Sequence, residues 1–311
     1  MNNPGMVLGA MIMAGLVTGM AVPVLSDLVA GLTIAALGGQ TFLTVGSLPS
    51  LGGRSAALQG VRLAGLHLVA SSLPLVAAAV ALDLDTPLGF GVFVLAVVPP
   101  AALVPTFAEM LGVDVGAAVA FCLLSYMAAL AITPVALLAA SGESVGAGAV
   151  LSVLALGLLA PTLLGRLCHR VLERVPKSPR HALVSAAVFV VTLGLGGDLL
   201  PGLTGSDITA PRLGLVLALV ILRTAGSGWL ARRLSPRALR DEAPLAGAFK
   251  NIALAAGASG VLLGSAAAIP SLLSFPAEAL YFMHLSRRGG PPPTKFGKVP
   301  SLGISRNNLA G

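Results

Sequence analysis

Long apolar segments follow one another along almost the whole chain, and this repetition restricts the fold more than any other feature. Polar, proline and glycine residues divide the sequence into ten segments, at about 6–24, 27–47, 57–82, 88–110, 113–139, 146–168, 181–200, 212–231, 243–260 and 262–285. A helix that crosses a bilayer needs about 20 apolar residues. Charged residues make up 10% of the chain, whereas a typical soluble domain has about 25%. The pattern predicts an all-α membrane protein with ten transmembrane helices.

Basic residues lie mainly in alternate loops between these spans. One set of loops carries Arg54, Arg62, Arg166, Arg170, Arg174, Lys177, Arg180, Arg232, Arg233, Arg237, Arg240, Arg287 and Arg288, and the opposite set carries Asp27, Asp83, Asp85, Glu143, Asp198, Asp207 and Arg212. Because cytoplasmic loops are enriched in Lys and Arg, both termini are predicted to lie in the cytoplasm, with the chain in a bacterial-type plasma membrane. The net charge of +7 therefore reflects topology, and nucleic-acid binding is not expected.

The loops are short, so residues 1–288 are predicted to form a single transmembrane domain. Residues 289–311 are rich in Gly and Pro and lack periodicity, which predicts a disordered cytoplasmic tail. Residues 1–25 have no basic n-region and no small-residue exit, so they are predicted to form the first span rather than a signal peptide. Cys122 and Cys168 have no CxxC spacing, which favours neither a metal site nor a disulfide framework.

Lys250 and Asn251 stand side by side in the apolar stretch 245–257. A lysine in hydrocarbon costs at least about 2.5–3.5 kcal/mol, so such a residue usually faces a cavity or a partner. Lys250 is therefore a candidate substrate- or ion-binding residue, together with Asn251. It can equally form a structural ion pair, for which Glu109 and Glu278 are the candidate charge partners, and the two roles are compatible.

Span four contains Pro99, Pro100 and Pro105, followed by Thr106. Each proline removes a backbone donor and clashes with the preceding turn, so a regular helix is not expected here. Backbone freed at membrane depth persists only inside protein or beside a wet cavity. These four residues are candidate ligand contacts at an unwound segment, although a kinked span without a ligand is the alternative reading.

Other polar side chains lie within spans. His67 either packs as a satisfied histidine or relays protons near Lys250. Ser125 and Thr133 can offer hydroxyls to a ligand, as can Thr106, but such groups in membrane helices often bond their own backbone. Arg223 is expected to snorkel or pair rather than to bind substrate.

An internal repeat is indicated by Ala131-Ile132-Thr133-Pro134 in span five, which recurs loosely as Ala268-Ile269-Pro270 in span ten. Spans four and nine, one step earlier, carry the interruptions. This arrangement predicts two inverted five-helix repeats with broken fourth and ninth helices.

The chain contains no GxxxxGK[ST], GxGxxG or HExxH motif and no paired Asp-rich motif. We therefore expect neither an enzyme nor an ATP-driven pump, and no cofactor.

Several short motifs resemble one known family. Leu82-Asp83-Leu84, then 91–95 running into Pro99-Pro100-Ala101, together with 131–134 and 250–255, resemble the bile acid:sodium symporter family in order and spacing over residues 6–286. The resemblance implies a core domain built from spans three to five and eight to ten. It further implies a panel domain from spans one, two, six and seven, and two crossing broken helices.

The chain departs from that family at the sodium sites. Ala246 stands where the family has a glutamate, Lys250 where it has a glutamine, and His67 near its third-helix glutamine, while its fourth-helix Ser-Asn pair maps near Val104-Pro105. Ser125 alone keeps a ligand-like hydroxyl. An ammonium among oxygen ligands would repel Na⁺, which argues against sodium as the coupling ion. Lys250 is expected to supply that charge instead, with uniport or with proton coupling through Lys250 or His67.

These features predict a secondary active or facilitated transporter of small organic anions, such as a carboxylate or sulfonate, in the lipid bilayer. The alternative is a cation/proton antiporter of related fold in which Lys250 cycles its proton. A membrane enzyme would need a metal-binding carboxylate cluster that the sequence lacks, and a sensor or scaffold is a further alternative.

Overall fold

The computed structural model describes residues 4–46, 53–141, 148, 152, 155–197, 199–204 and 208–288, and nearly all of them are helical. The helices are α1 Pro4–Ala21, α2 Pro23–Gly46, α3 Gly53–Ala81, α4 Pro87–Val97, α5 Val104–Leu111, α6 Val115–Ser141, α7 Ala155–Leu167, α8 His169–Leu172, α9 Lys177–Gly196, α10 Leu199–Thr204, α11 Ala210–Leu234, α12 Ala243–Ala248, α13 Ile252–Leu263 and α14 Ser265–Arg288. No strand forms in these ranges, which confirms the predicted all-α class. The predicted tail, residues 289–311, and much of the start of the sixth predicted span lie outside the described residues.

Five helical segments in the described part of the chain are long and apolar enough to cross a membrane. They are Gly53–Ala81, Val115–Ala140, Ser178–Thr204, Ala210–Leu234 and Ser265–Arg287. Their outer faces expose large apolar side chains, for example Leu68 on α3 and Leu222 on α11. Such exposure suits hydrocarbon rather than water, so the chain is a helical membrane protein.

The helices pack in two neighbouring sets. α9 lies against both α1 and α2, and α2 also contacts α7. In the second set α3 contacts α6 and α4, while α14 contacts α4, α11 and α13. Glycines allow the closest approaches, because a Cβ on Gly19 would collide with the carbonyl oxygen of Leu193 in α9.

Two helices are interrupted, and their breaks position the candidate site. The first broken helix consists of α4 and α5, which are separated by residues 98–103, and Val98 there is extended with φ −68° and ψ 150°. The second broken helix consists of α12 and α13, separated by residues 249–251, with Phe249 extended at φ −105° and ψ 115°. Pro99 and Pro100 lack the N–H groups needed to continue α4.

Pro105 differs from its prediction. It lies in the first turn of α5 rather than in the break, because proline is tolerated where helical N–H groups have no intrahelical partner. Two of the three prolines in span four therefore form the interruption, and the third helps to restart the helix.

The elements around the two breaks follow the same order. Each broken helix is preceded by a helix with a π-helical turn, Leu68–Ser72 in α3 and Leu222–Gly226 in α11. Each is followed by a long helix with internal proline, Pro134 in α6 and Pro270 with Pro276 in α14. A π turn adds a residue to the helical repeat and changes the direction of the side chains that follow, often at functional sites.

Candidate functional site

The two breaks cross and hydrogen-bond to each other. Pro100 and Lys250 form an isolated antiparallel bridge. The N–H of Asn251 donates to the carbonyl of Pro99 at 2.9 Å, and the N–H of Ala101 donates to the carbonyl of Phe249 at 3.3 Å. Backbone groups released from a helix must find such partners inside a membrane protein. The crossing is therefore a single unit built from both broken helices.

The Lys250 side chain is almost completely buried, with 1% of its surface exposed. Its ammonium donates to the Ser72 hydroxyl at 2.6 Å, to the Ala96 carbonyl at 2.7 Å and to the Val98 carbonyl at 3.1 Å. An ammonium has three N–H groups, so these three oxygens, the ammonium cage, use all of its donors. Lys250 consequently has no donor left for a substrate.

The ammonium cage lies at the carboxyl end of α4. Ala96 is in the last turn of α4 and Val98 follows directly. The last carbonyls of a helix carry partial negative charge, and a cation that bonds them is stabilising. Ser72 is the last residue of the π turn in α3, so this turn supplies the third oxygen.

Arg223 caps the carboxyl end of α12, the first half of the second broken helix, in the same way. One Nη1 of Arg223 donates to the carbonyl of Ala248, the last residue of α12, at 2.8 Å. The same nitrogen lies 2.7 Å from Oε1 of Glu278 in α14, and this ion pair is buried. Glu278 Oε1 also accepts the main-chain N–H of Lys250 at 3.0 Å. The carboxylate thus joins the π turn of α11 to the second break.

A small cavity of about 50 Å³ lies on one side of the crossing. Residues 101–103, before α5, and residues 251–253, at the start of α13, line it, together with Phe249 and Lys250 of the second break. Side chains of α1, α2, α5, α9 and α14 complete the lining, namely Ile12, Gln40, Phe107, Val188, Val191, Phe275, Glu278 and Phe282. The amino ends of both second half-helices therefore border the same space.

Asn251 supplies an unused donor beside this cavity. Its Oδ1 accepts the N–H of Leu254 at 3.1 Å and caps α13, which fixes the amide orientation. The side chain is buried, with 4% exposed, and its Nδ2 has no partner among the described residues. Buried donors are normally paired, so Asn251, which lines the cavity, carries a donor that still lacks an acceptor.

The charges around the cavity favour an anion. Lys250 and Arg223 contribute two cations, and Glu278 contributes one carboxylate. Both cations bond the carboxyl ends of α4 and α12, whereas the amino ends of α5 and α13, which carry partial positive charge, meet at the cavity. Helix amino ends bind anions.

The structure brings together five of the predicted site residues. Pro99, Pro100, Lys250 and Asn251 form the crossing, and the Thr133 hydroxyl donates to the carbonyl of Val97 at 2.7 Å. The carbonyls of residues 96–99 all accept hydrogen bonds from within the protein. These four carbonyls are therefore already hydrogen-bonded within the protein, and a ligand would find other groups at the crossing.

Four other predicted site residues do not line this cavity. Pro105 and Thr106 are buried in the first turn of α5. His67 bonds the carbonyl of Ala246 through Nδ1 at 2.6 Å and packs edge-on against Phe121, while its Nε2 has no partner among the described residues. Ser125 lines a different space, a cleft between α3 and α6.

Neither predicted charge partner of Lys250 forms an ion pair with its ammonium among the described residues. Glu278 accepts the main-chain N–H of Lys250 rather than its ammonium, and its charge is paired with Arg223. Glu109 lies near the other end of α5, where it contacts Arg180 at 2.8 Å and His181 at 3.2 Å. The helix that follows the break carries Glu109 away from the crossing.

Three contributors were not predicted: Arg223 as a cap, Ser72 in the ammonium cage and Gln40 beside the cavity. The sequence could have indicated Arg223, because an ionisable residue within an apolar span is by default a functional candidate. Ser72 and Gln40 carried no such signal.

No protein-family model and no curated protein matches the chain. Within the described residues no group of three or more His, Cys, Asp and Glu could hold a metal ion. Fold and site together define a helical membrane protein in which two broken helices cross at a cluster of buried charges.

The Arg223–Glu278 pair generates a stability prediction. Glu278→Gln removes the carboxylate and leaves a buried guanidinium without its counter-charge, which we expect to lower the free energy of unfolding by about 3–5 kcal/mol. The matched control is Glu109→Gln, because that carboxylate is partly exposed, and its loss should cost no more than about 1 kcal/mol. Denaturant or thermal unfolding in detergent measures both.

The double variant Arg223→Met with Glu278→Met should recover part of this loss, since no unpaired charge remains, although the Ala248 carbonyl and the Lys250 N–H lose their partners. A larger effect for Glu109→Gln than for Glu278→Gln would contradict the assigned pairing.

Proposed function

We propose that the protein is a secondary active or facilitated carrier of small organic anions, with its substrate site in the cavity beside the crossing. The observation that carries the proposal is the convergence of two half-helix amino ends and the unpartnered Asn251 Nδ2 on one space. Broken helices whose amino ends meet near the midplane are the usual anion sites of secondary carriers. The apolar remainder of the lining, including Phe107, Phe275 and Phe282, suits the carbon skeleton of a carboxylate or sulfonate.

We further propose that Lys250 replaces a coupling cation. Its ammonium is held by three oxygens at 2.6–3.1 Å, an arrangement in which a free Na⁺ would meet a like charge. A covalently attached cation cannot leave with the substrate, so transport would proceed without sodium, as uniport or with protons.

The proposed architecture is ten spans in two inverted five-helix repeats. The repeated order of π-turn helix, broken helix and proline-containing helix supports it. The packing of α1, α2, α7 and α9 on one another supports a panel domain, and the contacts among α3–α6 and α11–α14 support a core domain. These divisions follow those of the bile acid:sodium symporter family, which the sequence resembles.

The alternative, a cation/proton antiporter that cycles a proton on Lys250, is less well supported by the geometry. The ammonium cage gives each of the three N–H groups of protonated Lys250 an oxygen acceptor, which favours the charged form over a cycling amine. Among the residues that the structure describes, the hydrogen bonds of the ammonium go to a hydroxyl and two carbonyls and to no carboxylate.

Anion binding is tested on the purified full-length protein with a panel of carboxylates and sulfonates in sodium-free buffer. A bound anion should raise the unfolding temperature and exchange across proteoliposomes. Asn251→Asp keeps the capping oxygen but replaces the free donor by a carboxylate, so binding of the same anion should fall by about ten- to a hundredfold.

Asn251→Ser serves as the control, because it retains a capping oxygen without adding negative charge, and a smaller loss is expected. Absence of any anion effect, combined with cation flux driven by a pH gradient, would favour the antiporter.

Lys250 is tested with a pair of variants. Lys250→Ala empties the ammonium cage and should make the unfolding temperature depend on Na⁺, whereas Lys250→Met fills the space with an apolar chain and should not. The wild type is expected to show the same stability and the same anion uptake in Na⁺ and in choline. A steep sodium requirement in the wild type would rule out the tethered cation.

The proposed orientation, with the basic loops and both termini in the cytoplasm of a bacterial-type plasma membrane, has a built-in reporter. Cys168 is exposed beside the basic loop after α7, and Cys122 is buried. A membrane-impermeant maleimide should label Cys168 only after cells are permeabilised. Labelling of Cys168 in intact cells would reverse the orientation.

A further inference from the structure

A second and larger space lies between α3 and α6, away from the cavity beside the crossing. This cleft has a volume of about 540 Å³. Residues 96–100, from the last turn of α4 into the first break, line it, together with Ser72 and His67 from α3 and Ser125 from α6. Small residues on both helices, Ala64, Gly65, Ala128 and Ala129 among them, leave it unfilled.

The cleft opens toward the bilayer. Leu68, Leu124 and Ile132 line it and are 53%, 38% and 59% exposed. All three lie on helices long and apolar enough to cross a membrane. Since the surroundings of such side chains are hydrocarbon, the molecule that enters the cleft comes from the lipid phase.

His67 places one hydrogen-bond acceptor without a partner at the border of the cleft. The side chain is 6% exposed, and its Nδ1 bonds the Ala246 carbonyl. A carbonyl only accepts, so Nδ1 carries the proton and Nε2 of the neutral ring is an acceptor. This Nε2 has no partner in the part of the chain that the structure describes. A buried imidazole acceptor is normally hydrogen-bonded, so a donor brought by an occupant of the cleft, which His67 borders, would satisfy it once the occupant displaces the side chains that cover Nε2.

The need for a hydrogen-bond donor restricts the head group of the molecule that can occupy the cleft. A pure hydrocarbon has none, and an ionised carboxylate only accepts. An amine head group would place a second cation near Ser72, which already accepts from the Lys250 ammonium at 2.6 Å. A hydroxyl is neutral and donates, and the Ser125 hydroxyl in the same cleft can pair with its oxygen.

We propose that the cleft binds a membrane-resident amphiphile with a hydroxyl head group, whose O–H donates to Nε2 of His67 while its hydrocarbon tail lies along α3 and α6. The site is distinct from the anion cavity, and the proposal does not depend on the transport function.

The test uses full-length protein in liposomes and a sixteen-carbon alcohol with a photoactivatable diazirine in its chain as the probe. Irradiation should label peptides of α3 and α6 that line the cleft. Unlabelled hexadecanol should compete about two- to tenfold better than hexadecyl methyl ether, which has the same tail but no donor, since one hydrogen bond separates them.

Two glycine variants provide a matched comparison. Gly65→Leu fills the cleft, and a Cβ at Gly65 meets no atom within 4 Å, so the fold should tolerate it. Gly214→Leu on α11 makes the same change at a position with equally open space, outside the cleft. Labelling should fall at least fivefold in Gly65→Leu and remain unchanged in Gly214→Leu.

His67→Phe should reduce the preference for alcohol over ether to none, and the glycine pair keeps the test decisive if that variant does not fold. Equal competition by alcohol and ether in the wild type would overturn the hydroxyl assignment. The proposed site would be overturned if the peptides of α3 and α6 were not labelled, or if Gly65→Leu did not change their labelling. It would also be overturned if a second copy of the chain filled the cleft and excluded the probe.

Discussion

The hydrogen bonds of one buried ammonium hold the centre of this protein together. Lys250 joins its own break to the carboxyl end of α4 and to the π turn of α3, through Ala96, Val98 and Ser72. A half-helix that ends inside a bilayer leaves carbonyls without partners, and no water is present to bond them. The ammonium supplies both the donors and the positive charge that these carbonyls need, so the break in α4 is stable because Lys250 is there.

Arg223 does for α12 what Lys250 does for α4, and together they give the crossing its polarity. With cations bound at the two carboxyl ends, the uncompensated ends are the amino ends of α5 and α13, and these line one cavity. Glu278 limits the excess positive charge by pairing with Arg223. In the proposed carrier, the helix ends and Asn251 would contact the substrate, while the charged side chains hold the two breaks in place.

The positions of the breaks could be predicted because their causes are local. Adjacent prolines lack backbone donors, and a Lys-Asn pair within an apolar segment must lie beside buried polar partners or a cavity. The all-α class followed from apolar segment length for the same reason. The partner of Lys250 could not be predicted, since a long flexible side chain can reach several helices and the choice depends on how they pack. Ser72 bonds the ammonium from the π turn in α3. No residue type in the segment 68–72 predicts that turn. From the sequence, Pro105 could not be distinguished from Pro99 and Pro100 as a helix breaker. Its position after the break makes it compatible with the first turn of α5.

The bonds between the two breaks also restrict how the molecule can move. Asn251 with Pro99, and Ala101 with Phe249, tie the broken helices so that neither can slide without the other. The opposite wall of the cavity, by contrast, presents aliphatic side chains such as Ile12, Val188 and Val191, whose dispersion contacts have no preferred direction. Displacement along this aliphatic wall would break none of the hydrogen bonds between the two breaks, so we expect the crossed helices to move together relative to α9 rather than separately.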